Sequence, residues 1–234
     1  MFSQLRLDTL HQLHMTLLEP YHSQTIHTHL AAIHSTGRRS RVLDVGAVSG
    51  PSACSPSLTP CSDIIHVKIL LLEIPDYSAI IERLAVTLRP GGLLILVETE
   101  PRYLSSNGET SRCIRTLDAC VRDAYAARGV DTTLPANLLQ CLASSRVFHT
   151  PAFTQELGMP TAGFLRGSSQ SLARAGRLHR SLIEANIAKI IPIVLANGYE
   201  QGQIRQLVKD CIEELSSPDS RHYQRLFAVY GRKI

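Results

Sequence analysis

The sequence predicts an α/β fold with a mostly parallel sheet, and three observations support that class. Short, continuous apolar runs occur at residues 42–45, 63–67 and 93–97, as is typical of strands buried on both faces. A pattern of helical period separates the second run from the third. The order strand, helix, strand favours parallel pairing, because a helix can return the chain to the same edge of the sheet.

The first predicted strand, residues 42–45, leads into a turn that contains Gly46 and Gly50. Glycine permits tight backbone geometry and the close approach of a ligand. Residues 51–62 follow, with three prolines, four serines and no apolar run fit for a strand, so they predict an irregular connector. Parallel neighbours need a crossover of about a dozen residues or more, and residues 47–62 are enough chain for it.

A helix is predicted between the second and third strands. Asp76 is its expected N-cap. Its apolar face is formed by Ile80, Ile81, Leu84, Ala85 and Leu88. Residues 89–92, Arg-Pro-Gly-Gly, end the helix, because proline cannot continue it and glycine accepts a left-handed turn.

Beyond the third strand the pattern is mainly helical. Helices are predicted over 109–128, 134–142, 168–196 and 201–215, with a strand over 146–153 and a closing strand within 217–234. One apolar stripe in the last helix predicts packing onto the rest of the protein rather than a groove for a partner; it consists of Ile204, Leu207, Val208, Cys211, Ile212 and Leu215.

Composition indicates an intracellular globular protein. The 234 residues, 44% of them hydrophobic, are enough for one domain with a sizeable core. The net charge of +4 comes without a dense basic run, which argues against nucleic acid as the main partner. The six cysteines form no Cys-x-x-Cys pair, so we expect free thiols in a reducing compartment.

Membrane spans are not predicted. The apolar stretch 187–195 is much shorter than the roughly 20 residues that a span needs, and Lys189 and Pro192 interrupt it. We therefore expect a soluble protein of the cytoplasm, with the nucleus as a second compatible compartment.

Three segments together resemble class I S-adenosylmethionine-dependent methyltransferases, in the order that this family uses. They are VLDVGAVSG, SDIIHVKILLLEIPDYSAIIERLAVTLRPGG and LLILVETEP. The segment LRLDTLH at 5–11 is similar to the helix before the first strand of that family, and YQRLFAVYGRK at 223–233 is similar to its closing strand. The resemblance is strongest to the fungal branch tied to secondary metabolism, which includes relatives of the global regulator of that metabolism.

The resemblance implies one Rossmann-like methyltransferase domain over residues 1–234. It would comprise N-terminal helices (1–40), the core (41–156), a helical lid over the substrate pocket (157–216) and the closing strand (217–234). The sheet would be reduced to about five strands, in the order first, fourth, fifth, seventh and sixth of the parent fold. S-adenosylmethionine is the implied cofactor, with a small molecule as the methyl acceptor.

Candidate site residues follow from the same resemblance. Asp44, Gly46 and Gly50 match the family's cofactor-binding turn, and His66 and Glu98 would border the acceptor. His66 is a candidate general base, since histidine titrates near neutral pH, or a structural residue that bonds to nearby backbone. Glu98 and Glu100 are expected at the mouth of the cleft, either as catalytic groups or as ordinary solvated carboxylates, and His149 is a weaker candidate.

Two departures from the family pattern affect the cofactor site. Val48 occupies the position at which the family has the middle glycine of the turn. A β-branched residue with positive φ costs about 1–2 kcal/mol there, and its side chain would intrude on the ligand. The connector after Gly50 replaces the strand that normally ends in the carboxylate for the ribose hydroxyls. No residue of this sequence is left to supply that carboxylate.

These departures leave three explanations open. The chain is a working methyltransferase, or a pseudo-methyltransferase that has lost the cofactor and serves as an accessory, regulatory or non-methylating pathway protein. The third explanation is that the coding sequence is mis-spliced or misannotated and that the intact protein is an ordinary methyltransferase. No metal site is expected, because the closely spaced pairs His11 with His14 and His27 with His29 have no carboxylate or cysteine cluster beside them.

The shortened core also predicts an unusual edge. Without the missing strands, the strand at 42–45 becomes the edge of the sheet. An exposed apolar edge invites pairing, so we expect the connector, the N-terminal helices, or a partner such as a second copy of the chain to cover it.

Overall fold

The computed structural model describes residues 2–45, 60–149, 153–162 and 170–234. Its helices are α1 (Phe2–His34), α2 (Tyr77–Thr87), α3 (Arg112–Ala126), α4 (Leu134–Ser144), α5 (Gln170–Ala196) and α6 (Gln201–Ser216). Its strands are β1 (Val42–Val45), β2 (Ser62–Lys68), β3 (Leu88–Thr99), β4 (Leu104–Ser105), β5 (Phe153–Pro160) and β6 (His222–Arg232). A single helix, α1, therefore occupies most of the region where several N-terminal helices were predicted.

The chain divides into two compact units. The sheet unit comprises Tyr21–Glu100, Thr133–Glu156 and Leu226–Ile234. The helical unit comprises Met1–Pro20, Pro101–Thr132 and Leu157–Arg225. Three elements, α1, β5 and β6, contribute residues to both units.

The strand order in the sheet unit is β1-β2-β3-β6, and β5 also pairs with β6. β1 lies parallel to β2, with Asp44 opposite His66, and β2 lies parallel to β3, with His66 opposite Ile95. β6 is antiparallel to β3, with Tyr230 opposite Ile95. This topology confirms the predicted α/β fold with a mostly parallel, Rossmann-like sheet and the predicted strand order.

The two-residue strand β4 is an addition to the predicted set. It pairs with the beginning of β6, where Leu104 lies opposite Tyr223 and Ser105 opposite His222. β1 and β2 pair directly and in parallel, which agrees with the predicted crossover between them. Residues 46–59, which include Gly46, Val48, Gly50 and most of the connector, lie outside the described residues.

Different helices cover the two faces of the sheet. On one face, α2 and α4 pack against β3 and against each other. The approach of α4 to β6 is close, because a Cβ added to Gly231 would lie 2.5 Å from the Leu142 side chain. On the other face, the α1 residues His22 and His29 bond to residues of β2 and β6.

Asp63 fixes the amino-terminal end of β2. Its buried carboxylate accepts hydrogen bonds from Arg41 N (2.8 Å), Arg38 Nη1 (2.7 Å) and Arg89 Nη1 (3.2 Å). Burial alone would raise the pKa of Asp63, but these hydrogen bonds outweigh it and the pKa is lowered. These hydrogen bonds therefore connect β2 to the segment before β1 and to the start of β3.

The Arg-Pro-Gly-Gly segment ends α2 as predicted, and it also begins β3. The Asp76 side chain caps α2 by accepting from Ala79 N at 2.9 Å, and the helix ends at Thr87. β3 starts at Leu88, earlier than the predicted residue 93. Gly91 has φ 73°, and its N–H donates to Lys233 O at 3.0 Å, so the segment is paired with the end of the chain.

The helical unit has its own core, formed where α3, α5 and α6 pack against one another. Ser111 caps α3 by accepting from Ile114 N at 3.3 Å. The stripe on α6 is buried at Ile204, Val208, Cys211 and Leu215, which confirms the predicted packing role. Whether this unit covers a substrate pocket stays a prediction.

The prediction of a strand over 146–153 was wrong in position. Arg146 has φ 55°, in the left-handed region, which no extended strand adopts. Phe148 forms only an isolated antiparallel bridge with Lys233, and β5 starts at Phe153. The chain therefore turns where the apolar pattern indicated an extended run.

Among the described residues, no helix has the length and apolar character needed to cross a bilayer. The cysteines in the described part of the chain are free thiols: Cys61, Cys113, Cys120, Cys141 and Cys211.

Candidate functional site

The carboxyl ends of β1, β2 and β3 meet at one edge of the sheet, because the three strands are parallel neighbours. In open α/β sheets this edge is where ligands bind. Asp44 and Lys68 lie at the ends of β1 and β2. The predicted cofactor residues Gly46 and Gly50 would continue from β1, and their placement is outside the described residues.

Asp44 lies between two basic side chains of β2. Its Oδ2 is 3.6 Å from Lys68 Nζ, and its Oδ1 is 3.6 Å from His66 Nδ1. The Asp44 side chain remains 43% exposed, compared with 13% for His66. The carboxylate is therefore held at the edge of the sheet, and part of it faces solvent, where a ligand can reach it.

His66 belongs to a row of side chains that crosses the sheet. Asp44, His66, Ile95 and Tyr230 are register partners on successive strands, so their side chains share one face. His22 of α1 covers this row and lies between its polar members. Its Nδ1 is 2.8 Å from the Tyr230 hydroxyl, and its Nε2 is 3.2 Å from His66 Nε2.

Burial keeps His22 and Tyr230 uncharged near neutral pH. Desolvation and, to a smaller extent, the nearby positive charge of Lys68 lower the pKa of His22 to about 4. Desolvation also raises the pKa of Tyr230 to about 12. Phe153 packs on Tyr230, with 5.4 Å between ring centroids. The row thus combines neutral hydrogen-bonding groups with one exposed carboxylate.

Sequence reasoning missed His22 and Tyr230 as members of the site. The spacing of the α1 histidines along the helix relates them only to one another. His22 and Tyr230 are separated by 208 positions, and no local pattern connects them. The only sequence signal is the presence of polar side chains on segments that are otherwise apolar.

The sequence predicted Glu98 at the mouth of a cleft, and the structure corrects this prediction. The residue is buried, with 1% of its surface exposed. Its Oε1 accepts from Leu70 N at 2.9 Å and from the Tyr77 hydroxyl at 2.7 Å, and its Oε2 accepts from Leu71 N at 3.3 Å. Burial raises the pKa of Glu98 to about 7, although these hydrogen bonds oppose the rise. The carboxylate therefore holds the segment after β2 in place and is shielded from solvent.

The backbone around Glu98 explains this position. Ile69 has φ 49°, and its N–H donates to Val97 O at 2.9 Å. This left-handed residue turns the chain immediately after β2, so that the N–H groups of Leu70 and Leu71 point at the carboxylate. A strand-end glutamate that the sequence placed at an opening is therefore covered by the next segment of chain.

The remaining candidates lie apart from this row. Glu100 is buried, and His149 is exposed with its N–H donating to Arg232 O at 2.8 Å. His29 bonds to the backbone oxygen of Asp63 at 3.2 Å. In the part of the chain that the structure describes, no group of three or more His, Cys, Asp or Glu side chains is arranged to hold a metal ion.

Of three comparisons with known proteins, only the comparison with solved structures found similar proteins. No model of a known protein family matches the chain, and no curated protein matches it. Phosphoethanolamine N-methyltransferase 2 from Haemonchus contortus, solved with S-adenosyl-L-methionine, is 12% identical, with a TM-score of 0.36. That similarity covers 74% of this chain and 33% of the other.

Two further structures are similar to a comparable degree. The YcgJ protein from Bacillus subtilis is 15% identical with a TM-score of 0.40, over 88% of this chain and 98% of that one. The [4+2]-cyclase SpnF is 14% identical with a TM-score of 0.37, over 77% of this chain and 53% of that one. The chain thus spans about a third of the Haemonchus enzyme and about half of SpnF.

Proposed function

We propose that this chain is a methyltransferase-like protein that binds S-adenosylmethionine at the carboxyl edge of β1 and β2. When active, it would transfer a methyl group to a small molecule. The observation that carries the proposal is the sheet itself: parallel β1, β2 and β3, closed by antiparallel β6, with the exposed carboxylate of Asp44 at the ligand-binding edge. The sequence segments that resemble methyltransferases supply these same strands.

Asp44 suits one part of this cofactor. S-adenosylmethionine presents ammonium and hydroxyl donors, and a partly exposed carboxylate accepts hydrogen bonds from either. The cofactor's sulfonium would supply the methyl group. The chain's own contribution would be to hold donor and acceptor in line, since positioning supplies much of the rate of such a transfer.

His66 is the residue we propose beside the acceptor. It lies one strand from Asp44 on the same face, and 13% of its side chain is exposed. Its Nδ1 faces Asp44 and its Nε2 faces His22, so its proposed role is to orient the groups beside the acceptor. Glu98, the other predicted catalytic residue, is a less suitable group, because its oxygens are already bonded to Leu70, Leu71 and Tyr77.

The acceptor class rests on sequence resemblance. The segments that match the fungal branch of secondary-metabolism methyltransferases support a metabolite of that kind as the substrate. We propose such a small molecule, bound at the same edge of the sheet, as the acceptor.

A second candidate is a pseudo-methyltransferase that no longer binds the cofactor. Its support is that the Asp44 carboxylate already faces Lys68 and His66 at 3.6 Å each, so that a cationic ligand would compete with them. Val48 in the glycine turn and the missing ribose carboxylate also support it. In this case the chain would be an accessory or regulatory protein of its pathway.

Calorimetric titration with S-adenosylmethionine and with its demethylated product separates the two candidates. We expect micromolar binding, and we expect Asp44→Asn to weaken it about tenfold, because one charge-assisted hydrogen bond is lost. Asp76→Asn is the matched control, since Asp76 caps α2 and asparagine caps a helix equally well. No heat at millimolar ligand would refute cofactor binding and leave the pseudo-methyltransferase.

Val48→Gly tests the origin of any defect in binding. If Val48 limits binding, the glycine variant should bind S-adenosylmethionine more tightly than the native chain, because glycine tolerates a positive φ and has no side chain to meet the ligand. An unchanged affinity would instead assign the loss to the missing ribose-binding strand.

A further inference from the structure

We propose that His22 and Tyr230 are positioning residues that fix the tautomer of His66, so that its Nδ1–H faces Asp44. The four side chains would then form one directed chain of donors, from Tyr230 through His22 and His66 to the carboxylate. This inference rests on the proposed function, because it concerns the residues that hold the carboxylate of the candidate cofactor site.

The contact between the two imidazoles limits the arrangements available. His22 Nε2 and His66 Nε2 are 3.2 Å apart, and a hydrogen bond between them needs a proton on one nitrogen and a lone pair on the other. A neutral imidazole carries its proton on only one of its two nitrogens. The choice of donor in this hydrogen bond therefore fixes the tautomer of both rings. Only two arrangements of the pair are therefore possible.

In the first arrangement, Tyr230 donates its O–H to His22 Nδ1 over 2.8 Å. His22 then carries its proton on Nε2 and donates it to His66 Nε2. His66 carries its proton on Nδ1, the nitrogen that is 3.6 Å from Asp44 Oδ1. Each contact in this arrangement joins a proton to a lone pair or to a negative charge.

In the reverse arrangement, His66 donates from Nε2 to His22, and His22 donates from Nδ1 to the Tyr230 oxygen. His66 Nδ1 would then direct a lone pair at the carboxylate of Asp44, and the two negative sites would repel each other. The first arrangement is therefore favoured. Burial strengthens the preference, because His22 and Tyr230 are 5% and 3% exposed and electrostatic interactions are stronger away from water.

The directed chain has a consequence for ligand binding. A proton of His66 on one side and the ammonium of Lys68 on the other both face Asp44, so the carboxylate is held in a fixed orientation. Its exposed part is then ready to accept from a ligand that donates N–H or O–H groups. A ligand that offers only acceptor groups would be repelled.

Nitrogen-15 NMR of the imidazole rings tests the assignment directly. Long-range proton–nitrogen spectra distinguish the two tautomers, and the His66 signals are identified by their loss in His66→Gln. We expect the native chain at pH 7 to show His66 protonated on Nδ1 and His22 protonated on Nε2. His66 protonated on Nε2 would overturn the proposal.

Two variants of nearly equal size separate positioning from packing. His22→Gln retains an N–H that can donate to His66 Nε2, whereas His22→Leu does not. We expect the glutamine variant to keep His66 mainly protonated on Nδ1 and the leucine variant to show a mixture of tautomers. Equal spectra from the two variants would overturn the proposal.

His29→Leu is the control on the same helix. His29 bonds to Asp63 O at the opposite end of β2, so its loss should leave the His66 tautomer unchanged. Titration with S-adenosylmethionine gives a separate readout, in which His22→Leu should bind about tenfold more weakly than His22→Gln. If the native chain binds no cofactor, the proposed function is refuted. The NMR result still tests the directed chain of donors by itself.

Discussion

Glu98 is a buried acid whose protonation affects the stability of the native state. Its pKa in the native chain is about 7, against an ordinary value of 4.5. The native state therefore binds more protons than the unfolded chain between these two pH values. The stabilising contribution is fully present below about pH 4.5 and is lost as the pH rises through about 7. The difference amounts to about 3 kcal/mol.

Glu98→Gln should remove this pH dependence. The glutamine oxygen can accept from the Tyr77 hydroxyl and Leu70 N–H as before, while its amide group faces Leu71 N without a bond. We expect the variant to gain about 3 kcal/mol of unfolding free energy relative to the native chain between pH 4.5 and pH 8. Urea denaturation at a series of pH values measures this difference.

The control for this prediction is Glu73→Gln. Glu73 is an exposed carboxylate on the same segment, and its replacement leaves the buried carboxylate in place. A native chain and a Glu98→Gln variant whose stabilities change in parallel across this pH range would show that Glu98 does not titrate there.

The Arg-Pro-Gly-Gly segment depends on a glycine for steric reasons. A Cβ added to Gly92 would lie 2.8 Å from Arg89 O and 2.8 Å from Leu88 Cδ1. The first of these atoms belongs to the backbone of the turn, so it cannot move without disturbing the start of β3. The segment between α2 and β3 is therefore closed too tightly for any side chain at this position.

Gly92→Ala should lower the unfolding free energy by about 1–3 kcal/mol, the usual cost of overpacking. The shift of the urea midpoint measures it. Gly158→Ala is the matched control in a strand, since the nearest atom to its added Cβ is 3.6 Å away, at an ordinary contact distance. A loss for Gly158→Ala as large as for Gly92→Ala would contradict the steric explanation.

The edge of the sheet at β1 concerns the assembly of the whole molecule. Among the described residues, β1 pairs with β2 alone, and Val42 is 59% exposed. Neither α1 nor β2 therefore buries this edge. We propose that a second copy of the chain covers it, because a short apolar strand at the edge of a sheet is a template for strand pairing.

Val42→Lys tests this proposal, because a lysine on an edge strand opposes pairing. We expect the native chain to sediment as a dimer at micromolar concentration and Val42→Lys to sediment as a monomer. Val86→Lys serves as the control, since Val86 is 50% exposed and lies on a helix, α2, rather than on the edge strand. A native chain that is monomeric at all concentrations would refute the proposal.

The sequence alone determined most of the elements and their order. Val42–Val45 was predicted with its observed bounds, and β2, α2, α4 and α6 were predicted within a few residues. These elements have strong local signals: continuous apolar runs for parallel strands, helical spacing for amphipathic helices, and an aspartate cap. The strand predicted at 146–153 failed because the left-handed turn at Arg146 has no comparable signal.

The tertiary structure decided which polar groups form the site. Glu98 was predicted at an opening, and it is buried because the backbone turns back over it at Ile69. His22 joins the site because α1 covers the face on which His66 and Tyr230 are register partners of Ile95. The hydrogen bonds of His22 span 44 and 208 positions, and such contacts follow from strand order and helix packing, which no local pattern records.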